Sequence, residues 1–278
     1  MSKKIRAGFI GLGNQGGAIA ERMLSQGVDL RVWARRPETM EAFAKLGAKT
    51  APTPAALASE CDLVGVCVIN DKDVREVILG ENGVLAGMKP GGVIAVHATV
   101  PPECVTDLEP LCRAKGVLLL DAPVSGGPEG AAAGTMTVMV GGEASTLAIA
   151  QSTFDTFATK VPHLGPVGSG QMVKLLNNNL CYANVAMSIS ALEVAERLGM
   201  NVDRVGEVML GSSGTSRGLR LVTDEVTLRK ASGPTSNVRK DINCFLDVLK
   251  KFEVNDALVA KMSASAADSI DAFAAKRL

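Results

Sequence analysis

The sequence predicts an α/β chain in two parts. A doubly wound parallel sheet spans residues 1–165, an all-α domain spans 166–278, and one long helix joins them. Three observations carry this. Short, continuously apolar runs alternate with helical segments up to residue 165, as strands buried on both faces of a parallel sheet require. Beyond residue 165 no such run occurs, and each segment has the period of a helix. A glycine-rich turn separates the first strand from the first helix. With 278 residues, 47% of them hydrophobic, the chain has apolar material for two cores.

The first strand, residues 5–10, runs into Gly11-Leu12-Gly13-Asn14-Gln15-Gly16 and then a helix from Gly17. Strand, Gly-x-Gly-x-x-Gly, helix is the Rossmann-type dinucleotide-binding arrangement. Gly11 permits the tight turn, Gly13 lets backbone approach a pyrophosphate, and Gly16 lets helix pack on strand. The helix N-terminus then offers amides and a partial positive charge to the phosphates. At the end of the second strand, residues 29–34, an NAD-type site carries an acidic residue for the ribose 2′-hydroxyl. This chain carries Arg35-Arg36-Pro37 instead. Two forked, permanent cations suit a 2′-phosphate and favour NADP, with NAD as the alternative; solvated loop charges would read the same.

The α/β units continue with a helix at 39–46, a short strand at 48–52 and a short helix at 54–59. Residues 62–69 form an apolar strand, with Val68 and Ile69 at its carboxyl end, where ligands collect in such sheets. A helix at 71–79 and a glycine-rich turn lead to the strand 93–99, which is stopped by Pro101-Pro102 and places Thr99 at a carboxyl end. His97, within it, fits a core or crevice histidine better than a catalyst. A helix at 103–115 and a strand at 117–121 lead to Ser125-Gly126-Gly127. Consecutive amides and one hydroxyl there form either a carboxylate-binding nest or an ordinary turn. Residues 129–134 read as small and flexible, followed by a strand at 136–141, a helix at 144–157 and a strand at 160–165.

The long helix is predicted over 171–197, about 40 Å at ~1.5 Å per residue. Lys174 and Asn178, four apart, share a face of it. Apolar flanks make Lys174 a candidate for a lowered pKa and proton transfer near neutral pH, unless it snorkels to the surface. Further helices are predicted at 201–210, 217–227, 237–251 and 257–276. In the third of these Lys240 either faces a crevice or is solvated.

Composition excludes other classes. With 29 basic and 29 acidic residues there is no stripe for nucleic acid or anionic lipid. No run of about 18 apolar residues exists to span a membrane. The charged start, Met1-Ser2-Lys3-Lys4, leads into no uninterrupted apolar segment of a secretory signal. Six cysteines without a Cys-x-x-Cys pair read as free thiols in a reducing, cytoplasmic setting. Two distant histidines make a metal site unexpected.

Four motifs, in order, carry a family resemblance over nearly the whole chain: Gly8-Phe-Ile-Gly11-Leu-Gly13-Asn-Gln-Gly16, Asp121-Ala-Pro-Val-Ser125-Gly126-Gly127, Gly168-Ser-Gly170-Gln-Met-Val-Lys174-Leu-Leu-Asn-Asn178, and Lys240-Asp241-Ile242. The chain resembles the β-hydroxyacid dehydrogenases, the group of 3-hydroxyisobutyrate dehydrogenase, tartronate semialdehyde reductase and glyoxylate/succinic semialdehyde reductase. The resemblance implies hydride transfer between NADP(H) and a small 3-hydroxy carboxylic acid or its semialdehyde, with Lys174 as general acid and base. It implies that Ser125, Gly126, Gly127 and Asn178 hold a carboxylate-bearing substrate, and that Thr99 and Lys240 lie near the nicotinamide. It also implies a homodimer or homotetramer built through the helical domain. The imine reductases, relatives that replace the lysine, give the alternative reading of C=N reduction.

Overall fold

The computed structural model describes residues 5–224, 228, 232–233 and 236–276. The charged start at residues 1–4 lies outside them. The chain divides into two compact units, Met1–Lys174 and Leu175–Leu278.

The first unit opens with β1 (Arg6–Ile10), α1 (Asn14–Ser25), β2 (Asp29–Trp33) and α2 (Pro37–Lys45). β3 (Lys49–Thr50), α3 (Pro54–Ser59), β4 (Leu63–Val66) and α4 (Asp71–Leu79) follow. Then come α5 (Val84–Gly87), β5 (Val93–Val96), α6 (Pro102–Ala114) and β6 (Leu118–Asp121). The six strands form one sheet, β3-β2-β1-β4-β5-β6, with every neighbouring pair parallel. Strand order reverses between β1 and β4, and at such a switch point the loops beyond the carboxyl ends part to leave a crevice.

Successive strand residues enter opposite cores. Phe9, Leu63, Ala95 and Leu120 pack on one face with Ile19, Met23, Phe154 and Phe157. Ile10, Val64, Ile94 and Leu119 pack on the other with Leu57, Ile78 and Leu108. Burial on both faces is why these strands read as unbroken apolar runs. A smaller sheet, β7 (Val124–Ser125), β8 (Met136–Val138) and β9 (Ala158–Lys160), follows in the order β7-β8-β9. An antiparallel bridge between Asp121 and Gly141 links it to the end of β6.

Several boundaries differ from the sequence reading. β4 and β5 end at Val66 and Val96, short of residues 69 and 99, because the chain turns out of the sheet there: the His97 and Ala98 amides both donate to the Val66 carbonyl. Residues 129–134 are not a flexible stretch. They belong to α7 (Gly127–Ala133), which starts after Gly126, ends at a left-handed Gly134 and buries Ala131. α8 (Ala144–Phe154) stops three residues before Phe157, which folds back into the core. The last strand is Ala158–Lys160, and only His163 of the residues 161–165 makes a bridge, to Val140. The short helix α5 stands where a plain turn was expected.

The long helix, α9 (Ser169–Arg197), begins in the first unit and continues through the second. The second unit adds α10 (Val202–Leu210), α11 (Arg217–Thr223), α12 (Asn237–Lys251) and α13 (Leu258–Lys276). The predicted end of the second of these, residues 225–227, lies outside the described residues. Val185, Ile189, Leu219, Ile242, Ile270 and Phe273 are among the residues of its core. Among the described residues no helix is long and apolar enough to cross a membrane.

Candidate active site

The turn after β1 shows what each fingerprint glycine does. Gly11 has φ +94°, and a side chain there would strike the Cys67 backbone beyond β4. A Cβ on Gly16 would strike the Gly11 carbonyl. A Cβ on Gly13 would meet nothing within 4 Å, so the backbone ahead of α1 is open to a ligand. Gly13 is also the N-cap of α1, with no side chain in the cap. An open backbone at a helix N-terminus fits a pyrophosphate.

Beside this turn lies a cavity of about 370 Å³, lined by Gly11, Leu12 and Gly13, by Trp33 to Arg36, and by Cys67, Val68 and Ile69. Seven of the residues expected to hold a cofactor, Gly11, Leu12, Gly13, Arg35, Arg36, Val68 and Ile69, therefore meet in one crevice. Asn14 and Gln15 stand in the first turn of α1. Ile69 is 64% exposed, an unusual state for a large apolar side chain, and presents an apolar wall for a flat ring. Arg35 pairs with Asp73 at 3.2 Å, and Arg36 lies 4.0 Å from Glu38. No carboxylate stands at the end of β2.

Further along the sheet edge, Gly126 (φ +137°) and Gly127 (φ +69°) follow Ser125 at the end of β7. Two successive positive φ values explain the glycine pair, since an L side chain would be strained at either. The Gln15 amide donates to the Gly127 carbonyl at 3.5 Å, which ties the first turn of α1 to this loop.

Asp121, fully buried, accepts from the Gly168 and Gln171 amides at 2.8 Å each and so fastens the start of α9 to the end of β6. Burial raises its pKa and these amides act against the rise. The Gln171 side chain, also fully buried, donates to the Ala98 carbonyl at 2.9 Å and accepts from the Val100 amide at 3.1 Å. Thr99 lies between those two. One turn on is Lys174, only 8% exposed, so the snorkelling alternative does not hold.

In the second unit, Asp241 is buried on α12. It accepts from the Asn178 amide at 2.8 Å and the Tyr182 hydroxyl at 3.2 Å, and it pairs with Lys240 at 3.2 Å. Burial, ahead of the nearby Asp241 charge, pushes the Tyr182 phenol well above its ordinary range. Lys240, its side chain about a third exposed, is thus half of an ion pair.

His97 lies in the core. Its ring stacks on Phe9 at 5.7 Å and meets Phe154 and Phe157 edge-on, with Nδ1 2.7 Å from the Ala122 carbonyl. Burial lowers its pKa to about 4. Asp121, Gln171, Asp73 and Asp241 were not singled out from the sequence. Asp121 and Asp241 stand inside two of the quoted motifs with no role read for either, and Asp121 also shows as a charge ending an otherwise apolar strand. Among the described residues no group of three potential metal ligands occurs.

A family model for the NAD-binding domain of 6-phosphogluconate dehydrogenase matches residues 6–165. One for the NAD-binding region of NADP-dependent 3-hydroxyisobutyrate dehydrogenase matches residues 168–275. The L-threonate dehydrogenase of Cupriavidus necator is 37% identical over 217 residues, covering 78% of this chain and 72% of the relative. The solved 3-hydroxyisobutyrate dehydrogenase of Mycobacterium tuberculosis with L-serine superposes with a TM-score of 0.82 at 27% identity, covering 98% of this chain and 94% of that one. Psf3 in complex with NADP+ and 2-OPP gives 0.83 at 25% identity, covering 96% and 93%. An imine reductase of Myxococcus stipitatus, at 18% identity and a TM-score of 0.63 over 97% of this chain and 95% of that one, shares the fold alone.

Proposed function

The chain belongs to the β-hydroxyacid dehydrogenase family, and on that premise we propose that it moves a hydride between NADP(H) and a small 3-hydroxy carboxylic acid or its semialdehyde. The observation that carries this is Lys174, a buried lysine one turn past the point where Asp121 fastens α9.

Gly13 and the first turn of α1 hold the pyrophosphate, Val68 and Ile69 wall the adenosine, and Arg35 and Arg36 take the 2′-phosphate. A nicotinamide dinucleotide held by these residues would supply the hydride carrier. The remaining steps belong to this chain. In reduction Lys174, as ammonium, hydrogen-bonds the substrate carbonyl oxygen and gives its proton to the forming alkoxide. In oxidation it takes the hydroxyl proton as base. Such transfer typically contributes about 10²–10⁴-fold. The amides and hydroxyl of Ser125-Gly126-Gly127 hold the substrate carboxylate, and Thr99 stands near the reacting centre. Asn178 is assigned to the substrate, and Lys240 to the cofactor, on the family pattern.

The division into a cofactor part, 1–165, and a substrate and self-association part, 166–278, belongs to the same reading, as does a cytoplasmic place for six free thiols. Reduction of C=N bonds is disfavoured by Lys174, which the imine reductases replace.

Initial rates test the proposal. NADPH and NADH would be assayed with succinic semialdehyde, glyoxylate, tartronate semialdehyde and methylmalonate semialdehyde, and NADP+ with 3-hydroxyisobutyrate and L-threonate. Turnover of one carboxylated compound, faster with the phosphorylated cofactor, is expected. Silence with all of them, or turnover of cyclic imines only, overturns the substrate class.

A further inference from the structure

The β5 ladder ends at Val96, and the His97 and Ala98 amides are the last to bond back to the sheet, at Val66. What holds the chain around Thr99 is a side chain from another element. Gln171, fully buried in the first turn of α9, donates through Nε2 to the Ala98 carbonyl and accepts through Oε1 from the Val100 amide. Ala98 offers that site only an acceptor and Val100 only a donor, so the orientation of the amide is fixed. The Gln171 backbone is itself held by Asp121. Lys174 lies three residues on, on the adjoining face of the helix. The Thr99 turn is thus registered to the helix of Lys174, and Gln171 is the link.

We propose that Gln171 is a positioning residue for the reaction: it sets the distance between Thr99 and Lys174 and acts on the chemical step through them, not by touching substrate. This rests on the reading of Lys174 as the proton-transfer group. A side chain that only filled space here would be better apolar, because a buried amide costs stability unless both of its ends are bonded. Here both ends are bonded, and both go to the backbone that flanks one threonine.

The test is a double-mutant cycle. Gln171→Met keeps the volume and removes both hydrogen bonds. With 3-hydroxyisobutyrate and L-threonate as probes and NADP+ as cofactor, it is expected to lower kcat about tenfold to a hundredfold, the scale of a misplaced reacting group. NADPH affinity, read by fluorescence titration, stays within about twofold. In a Lys174→Ala background the same substitution adds less than about twofold, since the residue it positions is gone. A folded Gln171→Met with unchanged kcat overturns the proposal, and so does an equal loss in both backgrounds.

If Gln171→Met shows no cooperative thermal transition, Gln171→Glu replaces it. That variant keeps the acceptor for Val100 but sets a carboxylate against the Ala98 carbonyl. The same loss of kcat is expected, and wild-type kcat overturns the inference. If the unaltered protein oxidises neither probe, the cycle is run with whichever semialdehyde of the panel it reduces; an active Lys174→Ala, or silence of the unaltered protein with the whole panel, defeats the underlying functional reading and this inference with it. A dead Lys174→Ala beside an unimpaired Gln171→Met defeats this inference alone.

Discussion

Lys174 is 8% exposed on a helix whose neighbouring residues are largely apolar, and a lysine there is costly unless it serves chemistry or a buried partner. Lys174→Ala is expected to cut turnover by at least about a hundredfold while NADPH binds as before. Steady-state rates beside a fluorescence titration measure both, and retained activity refutes the role. Arg35 and Arg36 are expected to separate the two cofactors: changing either to Ala weakens NADPH much more than NADH, and equal losses in KM would remove the 2′-phosphate assignment. These residues were legible because each breaks a local pattern, a cation inside an apolar helix and a basic pair where an acid is usual. Asp121 was legible only as a strand end. Its role depends on amides 47 and 50 residues further along, and no local pattern encodes that return. Asp241 stands in the Lys240-Asp241-Ile242 motif, but its part was hidden for the same reason, since Asn178 comes to it from 63 residues away.

At the scale of elements, the Gly-x-Gly-x-x-Gly turn separates folding from binding. Gly16→Ala forces a methyl into the Gly11 carbonyl and must push α1 off β1. A loss of about 1–3 kcal/mol, the usual cost of overpacking, is expected in denaturant melts. Gly13→Ala meets open space, so its melt should match the unaltered protein while cofactor affinity falls. Equal stability losses for the two variants would contradict this division of labour. Strand positions were legible because burial on both faces writes itself as apolar runs. Their ends were not: Val66 is followed by Cys67, Val68 and Ile69, as apolar as the strand, and Val96 by a buried His97 and Ala98, and what stops each ladder is the turn of the chain out of the sheet. α7 was missed because its four small residues, Gly130-Ala-Ala-Ala, carry no periodicity. Its helix is fixed by the glycines at either end and by Ala131 pressed into the core.

Over the whole molecule, the three-phenylalanine cage around His97 gives stability a pH dependence. The ring titrates at about 4 when folded against an ordinary 6.5, so the unfolded chain binds the extra proton between those values. The neutral ring's contribution is therefore whole above pH 6.5 and is lost as pH falls through about 4, on the order of 3 kcal/mol in all. His97→Phe should flatten the urea midpoint across that window, and an unchanged slope would show that the ring is not the cause. In the second unit, Leu176, Leu180, Met187 and Val194 leave an apolar stripe exposed along one face of α9, in keeping with self-association through this helix. Leu180→Lys with Met187→Lys should shift light-scattering mass toward the monomer; a monomeric parent would end that reading.

The side chains of Arg35 and Arg36 are 64% and 74% exposed, and their ion pairs with Asp73 and Glu38 lie at the surface. Such pairs are worth about 0–1 kcal/mol to a fold. Coenzyme choice, so far as these two residues set it, is then a nearly independent trait in evolution. If the two take the 2′-phosphate as proposed, a lineage exchanges one redox pool for the other at two exposed positions, leaving the cores, the glycine turn and the lysine helix untouched.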